Sequence, residues 1–350
     1  MFPQDQGHPD AALGKILVNG GMYPTYSLIS QAHQAWAQLL KTLPSPPTPP
    51  KIVSRRWCIL FLPPQIWERN RTIHLARLQE TIGNSGSHTY ATLETASLLY
   101  GTDVLTFDVE VYLTFQAKHQ RRKTRVGAFI RDLKASTIHR IRRNHLPAEA
   151  YTQVLGIPTL TPEYLILEYL ALADAERAFV GAESLVRLLC GSDRRKRKLV
   201  DAAAVKLRRK LRSLVLSGRY PYARKRVLRR LAFIGPWSES AAESRFKAQL
   251  LLRGFPAADQ QKLIIVDGRV FFVDAAWVKY GLFAEVDGDL KYACDKGGQV
   301  RQAERFRERL IRRVLPRVVR FSWEDISEDA KFALLSSYFP PGVVNPPRIL

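Results

Sequence analysis

Asp274, Glu285 and Asp287, three of the four acidic residues in the run 270–292, VFFVDAAWVKYGLFAEVDGDLKY, stand among largely apolar, strand-like neighbours. Side chains alternate along a strand, so Glu285 and Asp287 point to the same face. If 270–277 and 281–287 pair as a hairpin around 278–281, Asp274 comes to lie beside Glu285. Carboxylates set together repel one another unless a cation or protons intervene. Hard oxygen donors of this kind suit Mg2+ or Mn2+, and the chemistry they serve is metal-assisted phosphodiester hydrolysis. Asp274 and Glu285 could instead be hairpin-edge residues facing water, but their apolar flanks argue against it. A histidine-activated serine or cysteine nucleophile is not expected in this stretch, because all seven histidines lie at or before His145.

The charge balance points to the substrate. Among 350 residues, 54 are basic and 32 acidic, a net charge of +22, and such an excess favours a polyanion through counterion release from a phosphate backbone. The densest basic stretch is 194–230, with sixteen Lys or Arg against one acid, Asp201. Within it AAAVKLRRKLRSLVL keeps apolar positions at Val205, Leu207, Leu211, Leu214 and Val215. It reads as a helix with a packed stripe and a basic outer face. A merely solvated helix would intersperse both signs, so Arg194, Arg195, Lys196, Arg197, Lys198, Arg208, Arg209 and Lys210 are candidate contacts to DNA phosphates.

The acids need a frame. Ser240 and Glu243 form a capping box that opens a helix to about Arg253. Three extended runs follow at 261–266, 269–277 and 281–287, the first two joined by Asp267-Gly268, a strong hairpin signal. A basic helix over about 299–314 and a final strand at 317–323 complete the order helix, three-stranded meander, helix, strand.

Upstream, 26–43 reads as an amphipathic helix and PSPPTPP at 44–50 as an extended linker or loop. Residues 51–64 read as one strand, 68–82 as a helix, 88–101 as a helix capped by Gly101, and 105–115 as a half-buried strand. Pro162 sits at the start of a helix running to about Ala173, and a further helix ends at Gly191. The 46% hydrophobic and 25% charged composition is that of a globular protein. Three cysteines without a CxxC pair argue against a disulfide framework or a cysteine zinc site. Apolar runs too short to span a bilayer and an N-terminus without a signal-peptide pattern make a cytoplasmic location the expectation, with no membrane partner.

The blocks SESAAESRFKAQLLLRGFP, VDAAW, AEVDGDLKY, RFRERL and VVRFSWEDI, spanning about 236–328, resemble the small nuclease-like domain related to very-short-patch-repair endonucleases in the PD-(D/E)XK superfamily. SHTYATLETASLLYG, the strand near 105–115 and GIPTLTPEYLILEYLA resemble the C-terminal region of AbiEi antitoxin-like regulators, which commonly begin with a winged helix-turn-helix. The expected fold is therefore α/β (α+β), with a restriction-endonuclease-like α-β-β-β-α-β core behind a mixed helix and strand N-terminal region. The expected segments are 1–67, a winged-helix candidate; 68–192, AbiEi-like; 193–235, basic and helical; 236–328, nuclease-like; and 329–350, a tail or strapped-down extension.

The resemblance implies Asp274 and Glu285 as metal ligands and Glu243 as an acidic helper, although the capping box alone accounts for Glu243. The family pattern puts a lysine two residues after the second acid, where this chain has Asp287, either a third ligand or part of a turn with Gly288. Lys291 is then the candidate for the missing cation, with a solvated surface lysine as the alternative. Arg305, Arg307 and Arg320 are candidates for phosphate contacts, or ordinary helix and strand charges. The expected function is a Mg2+- or Mn2+-dependent endodeoxyribonuclease. The alternative is a non-cutting DNA-binding regulator of the antitoxin type, with a cognate toxin as a further partner.

Overall fold

A computed structural model describes residues 88–106, 110–115, 136–287 and 305–345 in full. It gives backbone alone at 22–24, 51–52, 57–59, 124–126 and 299–304, and scattered helical positions between 71 and 82. The helix expected at 26–43, the linker at 44–50 and Lys291 lie outside the described residues. The chain is a mixed α/β protein and divides into two compact units, Met1–Glu168 and Tyr169–Leu350.

In the first unit, β1 (Met22–Pro24), β2 (Lys51–Ile52) and β3 (Trp57–Ile59) form a sheet in the order β1-β3-β2. The run 51–64 is thus not one strand: Ile52 pairs antiparallel with Cys58. A second sheet holds β4 (Thr89–Ala91), β5 (Val111–Phe115), β6 (Thr124–Val126), β7 (Ser136–Arg142), β8 (Tyr151–Val154) and β9 (Ile157–Leu160), in the order β6-β7-β5-β4-β9-β8.

Two expectations are corrected here. Residues 89–91 are a strand, since Thr89 and Tyr90 pair with β5, and only Leu93–Tyr100 is helical (α1), closing on Gly101 at φ 71°. Of the strand expected at 105–115, residues 111–115 form β5, the length over which it finds β7 as a parallel partner, while 105, 106 and 110 are not in a strand. Helix α2 (Pro162–Ala171) starts at its proline as expected.

In the second unit, α3 (Ala175–Cys190), α4 (Arg197–Leu216) and α5 (Arg224–Arg230) precede the sheet domain. Arg230, on α5, is wholly buried and donates to the carbonyls of Leu170, Leu172 and Ala173, filling acceptors that the end of a helix leaves open. Burial pushes its guanidinium down to about 10, so it stays charged at neutral pH. Glu183, on α3, is wholly buried too. It accepts from Gly235 N (3.0 Å), Ser238 Oγ (2.6 Å), Ser244 Oγ (3.0 Å) and Lys247 Nζ (2.5 Å). That knot fastens α3 to the turn and helix that carry the capping box.

Next come α6 (Ala241–Leu252), β10 (Asp259–Val266), β11 (Arg269–Trp277), β12 (Leu282–Val286), α7 (Gln299–Ile311), β13 (Arg317–Phe321) and α8 (Asp329–Ser336). The sheet order is β10-β11-β12-β13, antiparallel except for the β12–β13 pair. Asp267 and Gly268 turn between β10 and β11 with φ of 50° and 71°, the left-handed pair that a two-residue hairpin demands.

Helices cover both faces, and β12 is buried throughout, as a strand between two layers must be. Phe246 and Leu250 of α6 pack with Ala275, Trp277, Leu282, Ala284, Val286 and Phe321 on one side. Leu310 and Ile311 of α7 pack with Ile264, Val266, Val273 and Phe283 on the other. Of the final segment, the described residues 329–345 are a strapped-down extension. Phe332, Leu335 and Phe339 enter the α6-side core, and Asn345 N donates to Gly254 O (3.1 Å).

Candidate active site

Asp274 sits at a fault in the sheet. On one side the β10–β11 ladder pairs Gln260 with Ala275 and Lys262 with Val273 but skips Gln261 and Asp274, where Gln261 takes φ 46°. On the other side the β11–β12 ladder stops at Ala275 and Ala284. The Asp274 carboxylate fills the gap: Oδ2 accepts from Val286 N (2.8 Å), and Oδ1 accepts from Gln261 Nε2 (3.3 Å). Arg197 holds the distorted strand from outside, donating to the carbonyls of Gln261 (2.7 Å) and Gln260 (2.8 Å).

Glu243 plays two parts. Its amide donates to Ser240 Oγ (3.2 Å), so Ser240 caps the helix as expected, and its carboxylate reaches back to accept from Ser240 Oγ (3.1 Å) and from Glu239 N (3.0 Å), one residue before the N-cap amide of a regular capping box. The same carboxylate accepts from Gln261 Nε2 (3.0 Å), which bridges it to Asp274. Burial, and then the Asp274 charge, push its carboxyl up to about 7. Glu285 is 6% exposed and accepts from Arg307 Nη2 (2.9 Å). Burial first and the Asp274 charge second push it up to about 8, against the pull of Arg307.

These three carboxylates border one pocket of about 490 Å³, whose wall also includes Arg194, Glu239, Val270, Phe271, Phe272 and Arg307. Arg194 pairs with Glu239 and lies 4.6 Å over the Phe272 ring. Arg307 also donates to Phe272 O. The donors are hard oxygens, and the raised carboxyls mark a place short of positive charge, which fits a divalent cation in chemistry. Among the described residues, however, no three His, Cys, Asp or Glu side chains form a ready-made cage for a metal ion. The fit is therefore one of charge and donor type, with the acids now held by Gln261, Val286 N and Arg307.

The other candidates divide. Asp287 accepts from Arg320 Nη1 (2.9 Å) and does not line the pocket. Arg320 also donates to Glu308 Oε2 from Nε (3.1 Å) and Nη2 (2.9 Å), so it organises this edge of the sheet. Arg305 is exposed on α7. On α4 the buried stripe is Val200, Ala204, Leu211, Leu214 and Val215, while Val205, expected within it, is 37% exposed. Arg197 and Arg208 flank that stripe and donate to backbone carbonyls, Arg208 to Ile234 O (3.0 Å). Lys198, Lys206, Arg209, Lys210 and Arg212 lie on the outward side, with Arg195 and Lys196 exposed just before the helix.

Gln261 was not among the candidates, yet a signal for it exists. A two-residue turn at Asp267-Gly268 fixes the hairpin register and sets position 261 opposite Asp274. Among the described residues no helix is long and apolar enough to cross a membrane. The chain matches no protein-family model, no curated protein and no solved structure.

Proposed function

We infer that the second unit is a metal-dependent endodeoxyribonuclease of the PD-(D/E)XK, very-short-patch-repair-like type, following an AbiEi-like region. The observation that carries this reading is the meeting of Glu243, Asp274 and Glu285, from α6, β11 and β12, at one pocket where burial and mutual repulsion leave two carboxyls raised to about 7 and about 8. The element order α6-β10-β11-β12-α7-β13, with β13 parallel to β12, agrees with the nuclease core.

Asp274 and Glu285 would hold Mg2+ or Mn2+, with Glu243 beside them. A divalent ion there supplies neutralisation of phosphate charge and a water of lowered pKa. Arg194 and Arg307, on the pocket wall, hold and orient the scissile phosphate through their fixed guanidinium forks. Glu243, with its carboxyl near 7, is suited to take or return a proton at neutral pH. The outward cations of α4 supply sequence-independent backbone contacts.

One observation favours the non-cutting regulator as a second reading. The lysine position of the family pattern is Asp287, and that carboxylate is tied to Arg320. A plasmid-nicking assay with Mg2+ or Mn2+ decides between the two. Metal-dependent nicking that Asp274→Ala abolishes is the expected result. Cleavage that survives the substitution overturns the site, and absence of cleavage with either metal favours the regulator.

A further inference from the structure

The acidic pocket continues into an exposed hydrophobic ladder. Leu263 pairs with Phe272 and Ile265 with Val270 across the β10–β11 hairpin, and directly opposed residues share a face. Their neighbours Ile264, Val266, Phe271 and Val273 pack against the α7 side. The ladder therefore lies on the other face, with Leu263 46%, Val270 54% and Ile265 60% exposed. Among the described residues, nothing in the packing of the sheet requires apolar side chains at the exposed positions 263, 265 and 270, since water would suit Thr, Lys or Glu equally well.

Two features say what covers it. Val270 and Phe272 line the pocket that holds Glu243, Asp274 and Glu285, so the ladder and the acids form one continuous surface. Arg194 stacks over Phe272, with exposed Arg195 and Lys196 next in sequence, and the chain carries +22 overall. A surface that is apolar in its middle, with Arg194 on one border and the acidic pocket on the other, complements a strand whose bases are free of the stack and whose phosphates run along the cationic side. An intact duplex offers that surface only phosphates and groove edges, because its base faces are buried in the stack.

We propose that the Leu263–Phe272 and Ile265–Val270 ladder seats unpaired bases, so that the DNA brought to the acidic pocket is single-stranded rather than fully duplex. This rests on the nuclease reading for the fate of the DNA, but not for its binding. The test is fluorescence anisotropy of the full chain in chelator, with a labelled oligonucleotide of about 20 nucleotides, the same sequence as a duplex, and an abasic strand of equal length and charge. The expected result is at least about tenfold tighter binding of the single strand than of either competitor, a preference that Leu263→Ser with Ile265→Ser reduces to about twofold or less.

Equal affinity for the normal and the abasic strand overturns the proposal without recourse to any variant, as does a preference that survives the double substitution. Self-association of the wild type that the double substitution abolishes would also overturn it, by assigning the ladder to a second copy. Because no metal is present, the two readings fail separately. Plasmid nicking without single-strand preference sinks the ladder and leaves the nuclease. Single-strand preference without nicking does the reverse.

Discussion

Glu183 and Glu285 are both buried carboxylates of the second unit, and each has one cationic partner. Their surroundings are otherwise opposite. Glu183 collects a backbone amide, two serine hydroxyls and Lys247, so its charge is matched on every side. Glu285 has Arg307 against it but also the Asp274 charge, and its carboxyl is driven up to about 8. Burial alone therefore does not single out a candidate acid. What separates the two is whether the fold supplies enough donors, and the shortfall at Glu285 is what a cation or a phosphate-binding group can use.

The contrast can be broken most forcefully at Glu183. Glu183→Ala strands Lys247 and three donors in the interior and is expected to cost about 3–5 kcal/mol in urea denaturation; a loss under about 1 kcal/mol would erase the distinction. The next effect has the opposite sign. The folded protein holds the Glu285 carboxyl at about 8, raised from 4.5, so it favours the protonated form. That contribution is complete below the ordinary carboxylate range and is lost as pH rises through about 8. In chelator the wild type should lose stability between pH 5 and pH 8.5, and Glu285→Gln should recover about 1–3 kcal/mol at the upper end with little change at the lower.

Mg2+ tests the same deficit from outside. At pH 8 a saturating concentration is expected to raise Tm by about 2–4 °C, and Asp274→Asn should abolish the shift. An unchanged shift in that variant would place the ion elsewhere. The floor is set by Arg313 and Asp267, a pair exposed on both sides. Arg313→Ala should change stability by less than about 1 kcal/mol, and a larger loss would mean that exposed pairs also carry the fold.

Local signals in the sequence were enough for much of the sheet domain. The capping box at Ser240, the Asp267-Gly268 turn and the start of α2 at Pro162 are chemical signatures a few residues long, and each lies where expected. The meeting of Asp274 and Glu285 followed from strand pairing. What escaped was non-local. Arg197, Arg208 and Arg320 look like surface cations in the sequence, yet their guanidiniums are spent on carbonyls or carboxylates that only the tertiary fold brings near. The left-handed twist at Gln261 breaks the strand alternation, and nothing about a glutamine announces it. Strand ends failed for a similar reason, because β4 spans only the residues that pair with β5.

The Val286 amide hydrogen is held by a side chain at a place where a strand would normally use a neighbouring carbonyl. Its rate of exchange with deuterium is therefore a gauge that reads one residue. While Asp274 faces the sheet, that amide is protected along with the rest of β12. When the carboxylate turns to another partner, this amide exchanges faster and the amides paired to β13 do not. A single resonance can thus follow engagement of the acidic pocket without substrate or turnover.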